Sequence, residues 1–250
     1  MSLDQFFELV DSPARSLVVV NRSEPEPVQR LLESLFANQD VNVDATSDET
    51  YPPNTVLLLE DGVSVAQSTL ESLMETVLLV NSDIYTTGAR DLTAVTLPDV
   101  LSKLENQRFT VQGYPRSKSE KLLLITISRL IERRAFETGS GTLRSSFQQL
   151  SRIRDEKGTN RVYRSLGDTD VDVHVYGTGD DTDVGDIPVT VHAGRTYPYR
   201  SSWFVVFSND ADGSGMALLA LQEPDKSWDG FWTTETTVVS KLDQFIATQL

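Results

Sequence analysis

The apolar residues of the first 115 positions alternate between short runs of strand type and stretches spaced as on a helix. Ser16–Asn21 (SLVVVN) and Thr55–Glu60 (TVLLLE) read as buried strands. The second leads through Asp61–Gly62 into Val63–Ala66, and Asp-Gly suits the left-handed positions of a tight hairpin. Val28–Ala37 follows Pro25 and Pro27 and carries apolar side chains at 28, 31, 32, 35 and 36, the stripe of an amphipathic helix. Ser68, with Glu71 three positions on, has the form of a capping box and predicts a helix over Thr69–Glu75, with Val77–Val80 as a third strand. A helix over Pro98–Glu105 and a strand over Phe109–Gly113 complete this part. Such alternation implies βα units around a small, partly parallel sheet.

Residues 117–165 read as helical. Ser119–Arg134 sets apolar residues at 122, 123, 125, 127, 130 and 131, a broad helical face that Gly139 and Gly141 end. Thr142–Ile153 and Thr159–Leu166, parted by Gly158, read as two shorter helices. From residue 171 the period becomes two: Val171, Val173 and Val175 alternate with Asp172, His174 and Tyr176. Val189–His192 and Trp203–Phe207 continue as strands, and Asn209–Gly215 turns the chain into Met216–Gln222. On Trp203–Phe207 the alternation places Trp203 and Val205 on one face, Phe204 and Val206 on the other. Trp228, Phe231 and Trp232 fall in a loop before an amphipathic helix within Thr233–Leu250. The expected fold class is therefore α/β passing to α+β. N-terminal βα units (1–115) come first, then a central helical segment and a mainly antiparallel C-terminal sheet closed by a terminal helix (116–250), all as one compact unit, 1–250.

Composition narrows the function. The 250 residues include no cysteine, which removes disulfides, thiolate nucleophiles and cysteine-ligated metals. No apolar run approaches the length that spans a bilayer, and the acidic start lacks the form of a secretory leader, so a cytoplasmic protein without membrane contact is expected. The net charge is −15, with 22 Asp against 15 Glu and 16 Arg against 6 Lys. Short carboxylates and few lysines suit a surface kept solvated in concentrated salt, and this composition resembles that of extremely halophilic archaea. The charge is unevenly spread: residues 1–115 carry −12, residues 116–164 carry +7 and residues 165–250 carry −10. Nine of the sixteen arginines lie in the basic stretch, among them Arg129, Arg133, Arg152 and Arg164. Three readings compete for it: internal neutralisation of the acidic flanks, a face for an anionic ligand or partner, and nucleic acid bound by helices around Gly139–Gly141 acting as a helix-turn-helix. The acidic flanks and the salt sensitivity of phosphate contacts put nucleic acid last.

Catalytic signatures are missing from the sequence. It holds no GxxxxGK[ST], GxGxxG or GxSxG, and its two histidines, His174 and His192, exclude HExxH and multi-histidine metal sites. Asp170, Asp172 and His174 share one face of a strand, where a cation or hydrolytic site could assemble; polar alternation on a half-solvated sheet is the simpler account. Asp210–Gly213 resembles a calcium loop, but position 219 is Leu where a bidentate Glu would close it; it reads as a hairpin turn. The acidic Gly179–Asp186 reads as a solvated loop. No catalytic residue, metal site or cofactor is expected. All three tryptophans fall within 30 residues, either walling a ligand cleft or locking the terminal helix onto the sheet.

Several phrases read together give a family. LVVVN (17–21), VNSDIYTTG (80–88), GYP (113–115), SRLIERRAF (128–136), SFQQLSRIRDE (146–156), HVYG (174–177), SWFVVF (202–207) and DGFWTTETTVVSKL (229–242) make the chain similar to haloarchaeal stand-alone, transducer-like proteins built on the DICT sensory domain, over nearly its whole length. The resemblance implies a non-enzymatic signal-input module, without a catalytic residue to carry over, that binds a small-molecule cue or a signalling protein such as a histidine kinase, transducer or regulator. No output region is read after Leu250, so a separate polypeptide would carry the output, and a homodimer is compatible with this. Arg129, Arg133, Arg152, Tyr163, His174, Tyr176, Trp203, Trp228 and Trp232 are the candidate ligand- or partner-binding residues. The alternatives are a transcriptional regulator placing the 129–164 helices on DNA and an unrecognised hydrolase using Asp170, Asp172 and His174.

Overall fold

The computed structural model describes residues 2–10, 13–23, 41–82, 98–111, 118–179 and 184–250. The expected helix at Val28–Ala37, the GYP phrase, most of VNSDIYTTG and half of the acidic loop lie outside them. After a 3-10 helix at Leu3–Leu9, the first sheet has the order β2-β1-β3-β4. It is built from β1 (Arg15–Val20), β2 (Val41–Thr46), β3 (Thr55–Glu60) and β4 (Val63–Thr69). β1 and β2 are parallel, the other pairs antiparallel, so the expectation of a small, partly parallel sheet holds. β2 itself is an addition; its sequence, VNVDAT, gave little signal. Asp61 and Gly62 form the β3–β4 turn with φ of 51° and 80°, the left-handed pair that such a hairpin demands.

Helix α1 (Leu70–Ser82) contains Val77–Val80, so the expected third strand is a continuation of the helix. The Val-Leu-Leu-Val run satisfies both periods, and nothing in that stretch stops the helix. The cap is also shifted by one residue: Thr69 Oγ1 accepts from the Ser72 amide at 3.1 Å, while Ser68 Oγ accepts from the Val100 amide of α2 at 3.2 Å. Helix α2 is shorter than expected, Asp99–Ser102, and β5 spans Gln107–Val111.

The second sheet has seven strands in the order β5-β11-β10-β9-β6-β7-β8. Helix α3 (Lys118–Thr138) leads into β6 (Ser140–Gln149), then come the short helix α4 (Ser151–Asp155) and α5 (Lys157–Gly167). β7 (Asp170–Thr178), β8 (Thr190–Ala193), α6 (Tyr197–Ser201), β9 (Ser202–Asn209), β10 (Ser214–Gln222), β11 (Trp228–Thr233) and α7 (Thr236–Gln249) complete the chain. Pairing is antiparallel from β5 to β6 and parallel across β6, β7 and β8. The mixed α/β architecture, with its antiparallel sheet and terminal helix, is the expected class.

Two expectations fail here. Thr142–Ile153 is not a helix: most of it is β6, inserted between β9 and β7, and only its end enters α4. Gly141, meant to stop a helix, lies in that strand, and Gly158 lies inside α5. The aromatic phrase at 228–232 is likewise not a loop but β11, whose residues alternate between the sheet's faces.

The sheet is covered twice. Trp203, Val205, Phe207, Leu218, Ala220, Trp228 and Trp232 join the core beneath α3 and α5, and that core continues into Leu17, Val19, Val56 and Leu58 of the first sheet. Phe204, Val206, Ala217, Leu219 and Phe231 face a second core formed with Val238, Leu242 and Ile246 of α7 and Phe6 of the 3-10 helix. The expected split of Trp203 and Val205 from Phe204 and Val206 is therefore realised. β5 is seated by a close approach at Gly230, where an added Cβ would stand 2.3 Å from Phe109 Cε2 and 2.9 Å from Ala220 Cβ. Gly230→Ala is expected to lower the unfolding free energy by about 1–3 kcal/mol, measured as a fall in the urea midpoint at constant slope; a wild-type midpoint would contradict this seating.

Candidate functional site

The nine candidate residues divide between the two faces of the seven-stranded sheet. On the α3/α5 face, burial of the apolar side of α5 brings Tyr163 under α3. Its hydroxyl donates to Glu132 Oε1 at 3.1 Å, and its ring meets Phe147 edge-on at 5.3 Å. Burial, reinforced by the Glu132 charge, pushes the Tyr163 hydroxyl pKa well above its ordinary value, so it stays a neutral donor. Glu132 is 3% exposed and receives Arg129 Nη1 at 2.5 Å. Arg129 Nη2 also donates to Thr159 Oγ1 at 3.1 Å, tying α3 to α5.

The other candidate arginines are engaged too. Arg133 pairs with Glu137 at 2.7 Å one turn along α3, and Arg152 Nη1 donates to Gln148 Oε1 at 3.3 Å. Arg129 and Arg133 thus pair with acids of their own helix and not with the acidic flanks. Exposed basic side chains on this side include Arg134 of α3, Arg154 of α4 and Lys157, Arg161 and Arg164 along α5. The last three fall at i, i+4 and i+7 and share one helical stripe. The helix-turn-helix reading loses its geometry, because the segment after Gly139 is strand β6.

The tryptophans pack against the same layer. Trp203 Nε1 donates to Ser128 Oγ at 3.2 Å, and Trp203 and Trp228 meet edge-on at 6.4 Å. Trp228 and Trp232 are 8% and 3% exposed and belong to the core. Trp203 is the half-buried member.

The opposite face carries the histidines. Asp172, His174 and Tyr176 share the α7 side of β7 by strict alternation. His174 Nε2 lies 3.0 Å from Asp172 Oδ2, and His174 Nδ1 lies 3.0 Å from His192 Nε2 on β8. His192 stacks flat on Tyr176, with centroids 4.4 Å apart and planes 7° apart. The Tyr176 hydroxyl accepts from Arg144 Nη1 at 3.1 Å, and Arg144 Nε donates to Asp243 of α7 at 2.8 Å. Burial opposes the Arg144 charge, yet Asp243 and Tyr176 together raise its pKa above the ordinary value. Burial, helped by the neighbouring His174 and Arg144, lowers the His192 pKa below that of an ordinary histidine. Asp172 and His192 sit on opposite nitrogens of His174, so the three form a line and not a cage. Among the described residues no group of three potential ligands could hold a metal ion. The Asp210–Gly213 segment is a turn, with Asp212 accepting from the Ser214 amide at 2.8 Å.

Sequence reasoning named His174 and Tyr176 but missed Arg144, His192 and Asp243 as their partners. The alternation on β7 carried a signal for the first two; the others arrive from distant segments.

Arg129→Met should strand the buried Glu132 carboxylate and cost about 3–5 kcal/mol, whereas Arg133→Met, which breaks a surface pair, should cost less than about 1 kcal/mol. Parallel urea titrations measure both, and equal costs would refute the assignment of Arg129 as the buried counter-ion.

Among the described residues, no helix is long and apolar enough to cross a membrane. Comparison with curated proteins finds no match. Among solved structures, a polyphosphate kinase from Porphyromonas gingivalis aligns with 98% of this chain and 47% of its own, at 9% identity and a TM-score of 0.35. The chain spans about half the length of that structure, and a likeness so low carries no argument. Residues 99–222 match the family model of DICT, the sensory domain in diguanylate cyclases and two-component systems. The match is narrower than the whole-chain resemblance expected, since it omits the first sheet, β11 and α7. Over residues 99–222, just under half of its length, this chain is similar to the DICT sensory domain.

Proposed function

We propose that this protein is a non-enzymatic cytoplasmic sensory module that binds a small-molecule or protein cue and passes the resulting change to a separate output protein. The match of residues 99–222 to a sensory domain carries this reading. The Arg144–Asp243 ion pair supports it physically: one end lies within the matched segment and the other on α7, beyond it. A rearrangement of β6 or β7 is therefore felt by the terminal helix. The exposed cations of α5, Lys157, Arg161 and Arg164, favour a cue or partner with anionic groups. The sparse lysine and abundant aspartate support a halophilic archaeal origin for such a module, where the cell interior is rich in salt.

A cue binds the folded state and stabilises it by mass action, by about 2.7 kcal/mol at one hundred times its Kd. For a chain of this length that is a rise in Tm of about 5–10 °C. Thermal-shift screening of the full chain against nucleotides and anionic metabolites in molar KCl, joined to affinity capture from a halophile lysate with identification of the captured proteins, tests the reading. A ligand shift abolished by Arg161→Glu with Arg164→Glu, or capture of a signalling protein lost in the same variant, is expected. No shift and no captured partner would overturn it.

A further inference from the structure

The line through His174 and His192 has only one consistent set of protons. Asp172, as a carboxylate, can only accept, so His174 Nε2 carries the hydrogen directed at Asp172 Oδ2. A neutral His174 then offers its Nδ1 as an acceptor, and His192 must donate to it from Nε2 across 3.0 Å. Both imidazoles are thereby fixed in the same tautomer. Of the four ring nitrogens, His192 Nδ1 alone is left without a hydrogen and without a hydrogen to accept along the line.

A first proton can enter at His192 Nδ1 with every hydrogen bond of the line intact. The resulting cation would lie flat on the Tyr176 ring, where an aromatic face favours positive charge. A second proton has no such place. It would put hydrogens on both facing nitrogens, leave neither as acceptor, and set two cations side by side with the Arg144 guanidinium close behind Tyr176.

The charged and titratable groups around the pair come from each element packed on it. β7 supplies Asp172 and Tyr176, β6 supplies Arg144, α7 supplies Asp243, and α6 supplies Tyr199, whose ring lies 6.5 Å from Tyr176. β8 is four residues long and, among the described residues, pairs with β7 alone, so it is the element free to move when the pair is overcharged.

We propose that the His174–His192 pair is a proton-binding site of single occupancy: one proton is taken up with β8 in place, and a second detaches β8 from β7 and loosens the Tyr176–Arg144–Asp243 link to α7. The proposal stands apart from the sensory reading, because it concerns what the sheet edge binds and not which protein responds. Burial, with His174 and Arg144 beside it, lowers the pKa of His192. Its depressed affinity means that the unfolded chain takes protons first, so stability is full above the ordinary histidine value near 6.5 and falls as pH drops below it.

With only two histidines in the chain, long-range 1H–15N correlation of the 15N-labelled full-length protein reads each ring without ambiguity. Both should show hydrogen on Nε2 at pH 8. On lowering the pH at fixed KCl, two steps separated by more than about one pH unit are expected, with β8 amide shifts changing only in the second. His174→Asn, which removes the place of the second proton, should leave a single titration step at His192 and abolish the β8 detachment that accompanies the second. His192→Asn provides a second reading if that variant fails to fold: His174 should then titrate in a single step, and a second step in the remaining ring's environment would overturn the proposal. Independent titration of the two rings, or β8 detachment at low pH that persists in His174→Asn, would overturn the proposal. Loss of the thermal shift or of partner capture would leave these titrations untouched, so the two ideas fail separately.

Discussion

A strand that is apolar on both faces must be covered on both, and β9 imposes this demand on the rest of the molecule. Trp203, Val205 and Phe207 point to one side and Phe204 and Val206 to the other. Burial of large apolar side chains is worth roughly 1.5–3 kcal/mol each, so neither side of β9 can be left to water. One side is met by α3 and α5, the other by α7 and the 3-10 helix. The placement of the terminal helix, the entry of β6 beside β9 and the burial of Trp228 and Trp232 all follow from satisfying that double requirement.

The basic segment now has a physical description. Part of its charge is met at short range: Arg129 meets Glu132, Arg133 meets Glu137, and Arg144 meets Asp243. These pairs differ greatly in weight. Arg133–Glu137 is a surface pair between neighbouring turns, while Arg129–Glu132 sits with Tyr163 in a setting where an uncompensated carboxylate is expensive. Arg144–Asp243 joins sequence positions 99 residues apart and so acts as a strut between sheet and terminal helix. Glu132 and Glu137 are already counted in the +7 of residues 116–164, and of these three pairs Arg144–Asp243 alone reaches an acid outside that segment.

What could be read from the sequence follows from how local each cause is. β7 announced itself because Val171, Val173 and Val175 alternate with polar neighbours, and one solvated face is enough to show the period. The Asp61–Gly62 hairpin and the α7 stripe are equally local. β6 was hidden because Leu143, Phe147 and Leu150 recur at helical spacing while Ser145 and Ser146, which are buried in the sheet, look like solvent-facing positions. Its strand state is decided by the edges of β7 and β9 on either side, which no window of sequence contains. The same holds for the site. Asp172, His174 and Tyr176 were visible as one face of one strand, but the line they form needs His192 from β8, Arg144 from β6 and Asp243 from α7. Val77–Val80 failed for a different reason: four apolar residues fit either period, and the helix already running from Leu70 decided the matter.

The position of β5 bears on where the folding unit ends. It is an outer strand of its sheet, and its one neighbour is β11, which Gly230 lets Phe109 approach closely. β5 belongs to the segment 99–222 that similarity delimits, while β11 begins at Trp228, past that limit. A fragment trimmed to the similar region would therefore strip β5 of its backbone hydrogen bonds, bare one edge of β10 and uncover the apolar side of the sheet that α7 now shields. The boundary drawn by likeness and the boundary drawn by cooperativity are different lines, and a shortened version of this protein would inherit a sticky, half-finished sheet.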